Sequence, residues 1–134
     1  MMKTSQSKTS KYGNKKIELD GVKFDSKLEL FCYQQLKSLG LEFEFQRTIL
    51  LQEGFRFKGK WIRPITMIVD FVIHHDGQKI YIDTKGFATE TSKLKYKMLK
   101  FLEKDDSIVD VIWLHSQKEV KEFINDLLSK DGKL

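Results

Sequence analysis

The stretch that most constrains the fold is Met67 to Gly86, MIVDFVIHHDGQKIYIDTKG. Two strand-like runs, 67–73 and 79–85, flank Asp76-Gly77, a dipeptide suited to the positive φ angles of a two-residue hairpin turn. With Asp76 and Gly77 at the turn centre, His75 pairs with Gln78, Val72 faces Tyr81 and Asp70 faces Asp83. Directly opposed residues of an antiparallel pair share a face, with Cβ atoms roughly 4.5–5.5 Å apart. Side chains repeat every two residues along a strand, so Lys85 joins that face. The hairpin thus gathers two carboxylates and a lysine on an apolar scaffold. A three-residue turn would shift the register by one and undo the pairing.

Opposed like charges destabilise a sheet. Two readings answer this. In one, a divalent cation such as Mg²⁺, which takes carboxylate oxygens and keeps several waters, lies between the acids. In the other, both acids stand solvated at a sheet rim.

The rest of the chain fits one domain. Its 134 residues, 40% of them hydrophobic, suffice for a core over 13–134. No apolar run approaches a membrane span, and MMKTSQSKTS lacks the apolar stretch of a signal peptide. The single cysteine, Cys32, makes no internal disulfide, so a cytoplasmic setting is expected. Residues 1–12, rich in Ser, Thr and Lys, read as a disordered basic tail. Five of the 24 Lys and Arg residues fall within residues 1–16, which hold no acid, and the other 19 balance the 19 Asp and Glu. Such an arm is either a solvated tail or one that holds phosphate backbones without sequence preference.

In chain order, 16–24 suggests a short hairpin about Asp20-Gly21. A helix is expected over 26–39, with Ser26 and Glu29 as a capping box and Gly40 as its stop. Leu28, Phe31, Cys32, Leu36 and Leu39 form its apolar stripe. Glu29 has two readings: a local cap, or a third acid leaning toward the hairpin. Residues 41–46 alternate as a half-buried strand that continues through 49–51. Residues 54–63 form a second hairpin about Lys58-Gly59, in which Phe55, Phe57 and Trp61 interleave with Arg56, Lys58 and Lys60. Those aromatics are expected on the core; the alternative is a loop that touches bases and phosphates. Pro64 marks a strand entry or bulge.

After the central hairpin, 92–104 reads as a helix with Leu94, Met98, Leu99, Phe101 and Leu102 apolar. Its Lys93, Lys95, Lys97 and Lys100 form either a solvated face or one turned to a polyanion. Residues 107–114 form a strand buried on both faces. Ser116 and Glu119 cap a final helix whose inner face is Val120, Phe123, Ile124, Leu127 and Leu128. Strand, helix and strand from 80 to 114 make a βαβ crossover. His74 and His75 belong to the turn; His115, just past a strand end, is either a catalytic residue or, as is commoner, a surface one. The expected fold is α/β: an antiparallel meander plus one parallel strand in a mixed sheet, flanked by helices.

That order, with these acids, resembles the PD-(D/E)XK nuclease superfamily, the restriction-endonuclease-like fold. Glu29 within FDSKLE matches the acid of the first helix. Asp70 within IVDF matches the acid of the meander's second strand. Asp83-Thr84-Lys85 within IYIDTKG matches the acid-x-lysine of the next strand. Within the superfamily the chain is similar to the bacteriophage endonuclease I that resolves four-way DNA junctions. It is also similar to small phage proteins of unassigned function that open with YGNKK and continue into DGxxFDSKxE, here Tyr12–Lys16 and Asp20–Glu29. The resemblance covers roughly residues 12–102. Two positions depart from the pattern: Val69 stands where the name-giving proline would precede Asp70, and Asp83 replaces the commoner glutamate.

The resemblance implies a Mg²⁺- or Mn²⁺-dependent endodeoxyribonuclease acting on branched DNA, encoded by a phage or mobile element and working in the bacterial cytoplasm. Asp70 and Asp83 would be metal ligands, with Glu29 reaching the metal directly or through water. Lys85 would orient the attacking water or stabilise charge on the phosphate. Lys93, Lys95 and Lys97, with Arg56, Lys58 and Lys60, are the DNA-binding candidates. Symmetric cutting of a junction implies a homodimer, with the tip around Phe55, Phe57 and Trp61 as one interface. The rival reading is a non-catalytic DNA-binding or interaction protein on the same fold.

Overall fold

The computed structural model describes residues 16–84, 88–105 and 108–130. The basic tail and Lys85 lie outside the described residues. The elements are β1 (Ile17–Leu19), β2 (Val22–Phe24), α1 (Lys27–Ser38), β3 (Glu42–Gln52), β4 (Phe55–Phe57), β5 (Lys60–Ile62), β6 (Ile65–His75), β7 (Gln78–Asp83), α2 (Glu90–Leu102), β8 (Ile108–Trp113) and α3 (Gln117–Lys130). The central sheet runs β3-β6-β7-β8; β1–β2 and β4–β5 are separate two-stranded hairpins. β3, β6 and β7 are antiparallel, and β8 returns parallel to β7 after α2. This is the mixed α/β sheet flanked by helices that the sequence implies.

The central hairpin forms in the expected register, with His75 opposite Gln78 and Val72 opposite Tyr81. Asp76 and Gly77 both take left-handed backbone angles, φ +56° and +77°, as a two-residue turn matched to strand twist requires. Lys58 and Gly59 repeat the device at the tip of β4–β5, with φ +50° and +79°.

Two apolar layers hold the sheet. On one face, Phe24, Cys32, Tyr33 and Leu36 meet Phe71, Ile73 and Ile82 beneath α1, and Val120 and Ile124 join from α3. Phe24, Tyr33, Phe43, Phe45 and Phe71 form a chain of ring contacts with centroids 4.9–6.0 Å apart. On the other face, Leu51, Met67, Val69, Val72 and Tyr81 pack against Tyr96 and Leu99 of α2. Each side chain of this kind contributes about 1.5–3 kcal/mol when fully buried.

The strands change layers partway along. On β3, Phe43 and Phe45 join the α1 layer, whereas Ile49 and Leu51 join the α2 layer. On β6, Phe71 and Ile73 lie with α1, whereas Met67 and Val69 lie with α2. Strict alternation would keep each of these odd-numbered sets on one face. The switch falls between the pairs Phe45–Phe71 and Arg47–Val69; the register carried between them sets Gln46 at the level of Asp70. Gln46 has a left-handed backbone angle, φ +56°, which a non-glycine residue in a strand seldom adopts.

Three expectations about burial need correction. Phe55, Phe57 and Trp61 do not pack on the core; Trp61 is 56% exposed. Among the described residues their hairpin pairs only with itself, and all six of its strand residues are exposed. On α2 the buried residues are Tyr96 and Leu99, while Leu94, Phe101 and Leu102 are exposed. The helix contributes one stripe, and the sequence holds more apolar residues than that stripe can use. Leu39, the C-cap of α1, is exposed, and Tyr33 takes a buried place on that helix.

Candidate active site

Glu29, Asp70, Asp83 and Thr84 are the buried polar residues among the described ones. Three of the four are the acids singled out from the sequence. α1 delivers Glu29 through its N-terminal turn. The Ser26 hydroxyl accepts a hydrogen bond from the Glu29 amide at 3.1 Å, which caps the helix. The Glu29 carboxylate does not close the expected box on the Ser26 amide. It reaches one residue further back and accepts from the Asp25 amide at 2.6 Å. α3 does the same: Glu119 accepts from the His115 amide at 2.7 Å, and Ser116 accepts from the Glu119 amide. Glu29 thus supports the helix start through Asp25 in place of Ser26, and its side chain also meets Asp70.

Its environment shows in its acidity. Burial pushes the Glu29 carboxyl up to about 7. The Asp25 amide opposes the rise, while the charge of Asp70 and a side-chain hydrogen bond with it reinforce it. The same two acids, after burial itself, push the Cys32 thiol up to about 12. Cys32 is thus a buried apolar neighbour of the cluster and stays protonated.

Asp70 is fixed by one residue on the adjacent strand end. The Thr84 amide and hydroxyl both donate to Asp70 Oδ2, each at 2.9 Å. Asp83 is fixed from the helix side, where the buried Tyr96 hydroxyl donates to its Oδ2. Burial, then the charges of Asp83 and Asp70, raise the Tyr96 phenol above its ordinary range, so it remains a donor. The Tyr96 ring stands edge-on to Trp113 at 5.0 Å. With the β6–β7 register carried one residue past Phe71–Ile82, Asp70 is opposite Asp83.

Two openings meet the acids. A cavity of about 180 Å³ is lined by Asp83, Tyr96, Lys95, Thr89, Thr91, Ser92, Met67 and Ile68. One of about 560 Å³ is lined by Asp70, Asp25, Lys16, Lys23, Gln46 and Ile68. Ile68, 58% exposed, lines both, so the two openings adjoin at this residue, with one acid lining each.

The basic candidates separate. Lys95 lines the Asp83 cavity. Lys93 pairs with Glu90 on the surface at 3.6 Å, and Lys97 lines an apolar depression with Leu51, Leu94, Met98, Phe101 and Leu102. Arg56, Lys58 and Lys60 stand on the exposed β4–β5 hairpin, and none of them lines either cavity. The sequence did not single out Thr84, Tyr96, Gln46 or Lys23. A tyrosine on a helix stripe is the one legible signal among them, since a buried hydroxyl needs a partner.

Among the described residues, no group of three or more His, Cys, Asp or Glu side chains is placed to hold a metal ion. The donor chemistry still suits a hard cation. Mg²⁺ is commonly held by one or two carboxylates, with waters and substrate phosphate oxygens completing its shell.

A family model described as "Protein of unknown function (DUF1064)" matches residues 9–122. No match was found among curated proteins.

Proposed function

The chain belongs to the DUF1064 family, and for it we propose a Mg²⁺- or Mn²⁺-dependent endodeoxyribonuclease that hydrolyses phosphodiester bonds, with branched DNA as its substrate. The observation that carries this reading is the burial of Glu29, Asp70 and Asp83, with Asp83 and Asp70 lining adjoining cavities that also hold Lys95 on one side and Lys16 and Lys23 on the other. Buried like charges without a purpose are costly. Acids placed together in a cleft, with one carboxyl raised to about 7, are what hydrolytic chemistry uses.

Asp70 and Asp83 would hold the cation, with Glu29 beside them. The bound ion would supply neutralisation of phosphate charge and an acidified water. The remaining tasks fall to the chain. Thr84 and Tyr96 hold the two carboxylates in place from opposite sides. Glu29 keeps its proton up to about pH 7, which relieves repulsion against Asp70. Lys95, beside the hydroxyls of Thr89, Thr91 and Ser92 in the Asp83 cavity, binds a substrate phosphate. Lys85 retains its proposed role at the attacking water on the strength of the acid-x-lysine motif. Branched-DNA preference, phage or mobile-element origin in a bacterial cytoplasm, and a homodimer meeting through the exposed Phe55, Phe57 and Trp61 follow from the resemblance. No described helix is long and apolar enough to cross a membrane.

A second reading, a non-catalytic DNA-binding module on the same fold, is favoured by the lack of a three-ligand group among the described residues. The two part on one experiment. Purified protein is incubated with a labelled four-way junction and a matched linear duplex, with Mg²⁺ or with EDTA, beside Asp83→Ala. Metal-dependent cutting of the junction alone, lost in Asp83→Ala while binding in EDTA persists, is the expected result. Cutting of both substrates keeps the nuclease and removes the junction preference. Binding without cutting, with Mn²⁺ as well as Mg²⁺, favours the second reading.

A further inference from the structure

The larger cavity reaches beyond the acids themselves. It lies between the β1–β2 hairpin and β3, and is lined by Lys16, Lys23, Asp25, Gln46, Ile68 and Asp70. Its charges are not equivalent. Lys16 Nζ is 2.5 Å from Asp25, so these two neutralise each other. Lys23 is exposed and makes no ion pair among the described residues, although Glu18 is its cross-strand neighbour. Gln46 is exposed at the same wall, carried there by its left-handed backbone at the level where both strands change layers. A non-glycine residue in that region costs free energy and persists only where surrounding structure enforces it. The wall therefore presents one unspent cation and one amide next to Asp70, and Ile68 offers an apolar edge between the two cavities.

We propose that this basin is a second backbone subsite: Lys23 and Gln46 bind the phosphate of the DNA strand on the Asp70 side of the acids, opposite the phosphate taken by Lys95 on the Asp83 side. This assignment rests on the nuclease reading for its substrate class. A polynucleotide whose bond lies at the acids must leave them in both directions, and each arm carries a phosphate. Ile68 lies under the nucleotide between them, where a sugar or base edge meets an apolar side chain. Lys23 acts as a point charge without sequence preference, so its contribution appears in the salt dependence of binding.

The test measures binding and cleavage separately. Equilibrium binding of a fluorescent single strand and of a four-way junction is titrated in EDTA over a range of salt concentrations, for wild type, Lys23→Ala, Lys23→Arg and Gln46→Gly. Gln46→Gly removes the amide while easing the left-handed backbone. Lys23→Ala is expected to weaken binding about threefold to tenfold and to lower the salt slope by about 0.7–0.9, the loss of one phosphate contact. Lys23→Arg restores both. Gln46→Gly weakens binding about threefold and leaves the salt slope unchanged. Affinity and slope that do not move in Lys23→Ala overturn the subsite, whether or not the protein cuts DNA. A wild type that binds neither probe overturns it as well. If the wild type fails to cut with any metal yet Lys23→Ala shows the expected loss, the nuclease reading fails and the subsite stands.

Discussion

At the turn end of the central sheet, each acid meets a polar partner. His74 Nε2 lies 2.6 Å from Glu44, which also takes Arg47 at 3.1 Å. Glu103 receives both the Tyr81 hydroxyl, at 2.9 and 3.0 Å, and Lys79, at 3.1 Å. At the other end, Glu29, Asp70 and Asp83 are buried together, and hydroxyls and amides fix them. The strands are the same, β6 and β7, and the solutions are opposite. One end is arranged for stability. The other gathers acids that stability alone would separate.

The sharpest way to break this contrast is to neutralise the acid end. Asp70→Asn keeps an oxygen for Thr84 and removes one charge. It is expected to lower metal-dependent cleavage by about 10³-fold while the melting temperature in EDTA holds or rises, because a like charge has left the cluster. A marked drop in melting temperature would show the acids to be structural. The matching change at the turn end is Glu103→Ala, which leaves the Lys79 ammonium and the Tyr81 hydroxyl without their acceptor. Urea denaturation should register a loss of about 1.5–3 kcal/mol, with cleavage unchanged. Loss of cleavage there would erase the distinction between the two ends.

A subtler test uses pH. Glu29 titrates near 7 in the folded chain against an ordinary value of 4.5. Between those values the folded state binds more protons than the unfolded state, so stability falls as pH climbs and levels off above about 7. The fall attributable to Glu29 is on the order of 3 kcal/mol, read from denaturation curves in EDTA. Glu29→Gln should flatten that part of the profile. A wild-type profile already flat across this range would mean that Glu29 is solvated.

Much of this was legible in the sequence, for physical reasons that differ by element. The central hairpin could be placed to the residue because Asp76-Gly77 fixes the turn and period-two alternation fixes the register. Ser26 and Ser116 announced their helices through hydroxyls that cap a backbone amide three residues on. Periodicity names a face but not what covers it. Phe55, Phe57 and Trp61 therefore looked like core residues, and Leu94 and Phe101 looked like part of a buried stripe. Asp70 and Asp83 were visible as charges in apolar strands, and Glu29 as an acid in the first turn of a helix. Their supports were not: no local pattern announces that Thr84 turns its hydroxyl and amide on Asp70, or that Gln46 goes left-handed inside a strand.

The chain has two tryptophans, and the fold sends them to different places. Trp61 lies on the exposed hairpin, its ring so close over Gly54 that a Cβ there would meet it at 2.4 Å. Trp113 meets edge-on the ring of Tyr96, whose hydroxyl holds Asp83. In a Trp61→Phe chain the remaining indole is an optical reporter one ring away from Asp83, so its emission can follow occupancy of the Asp83 cavity without a label.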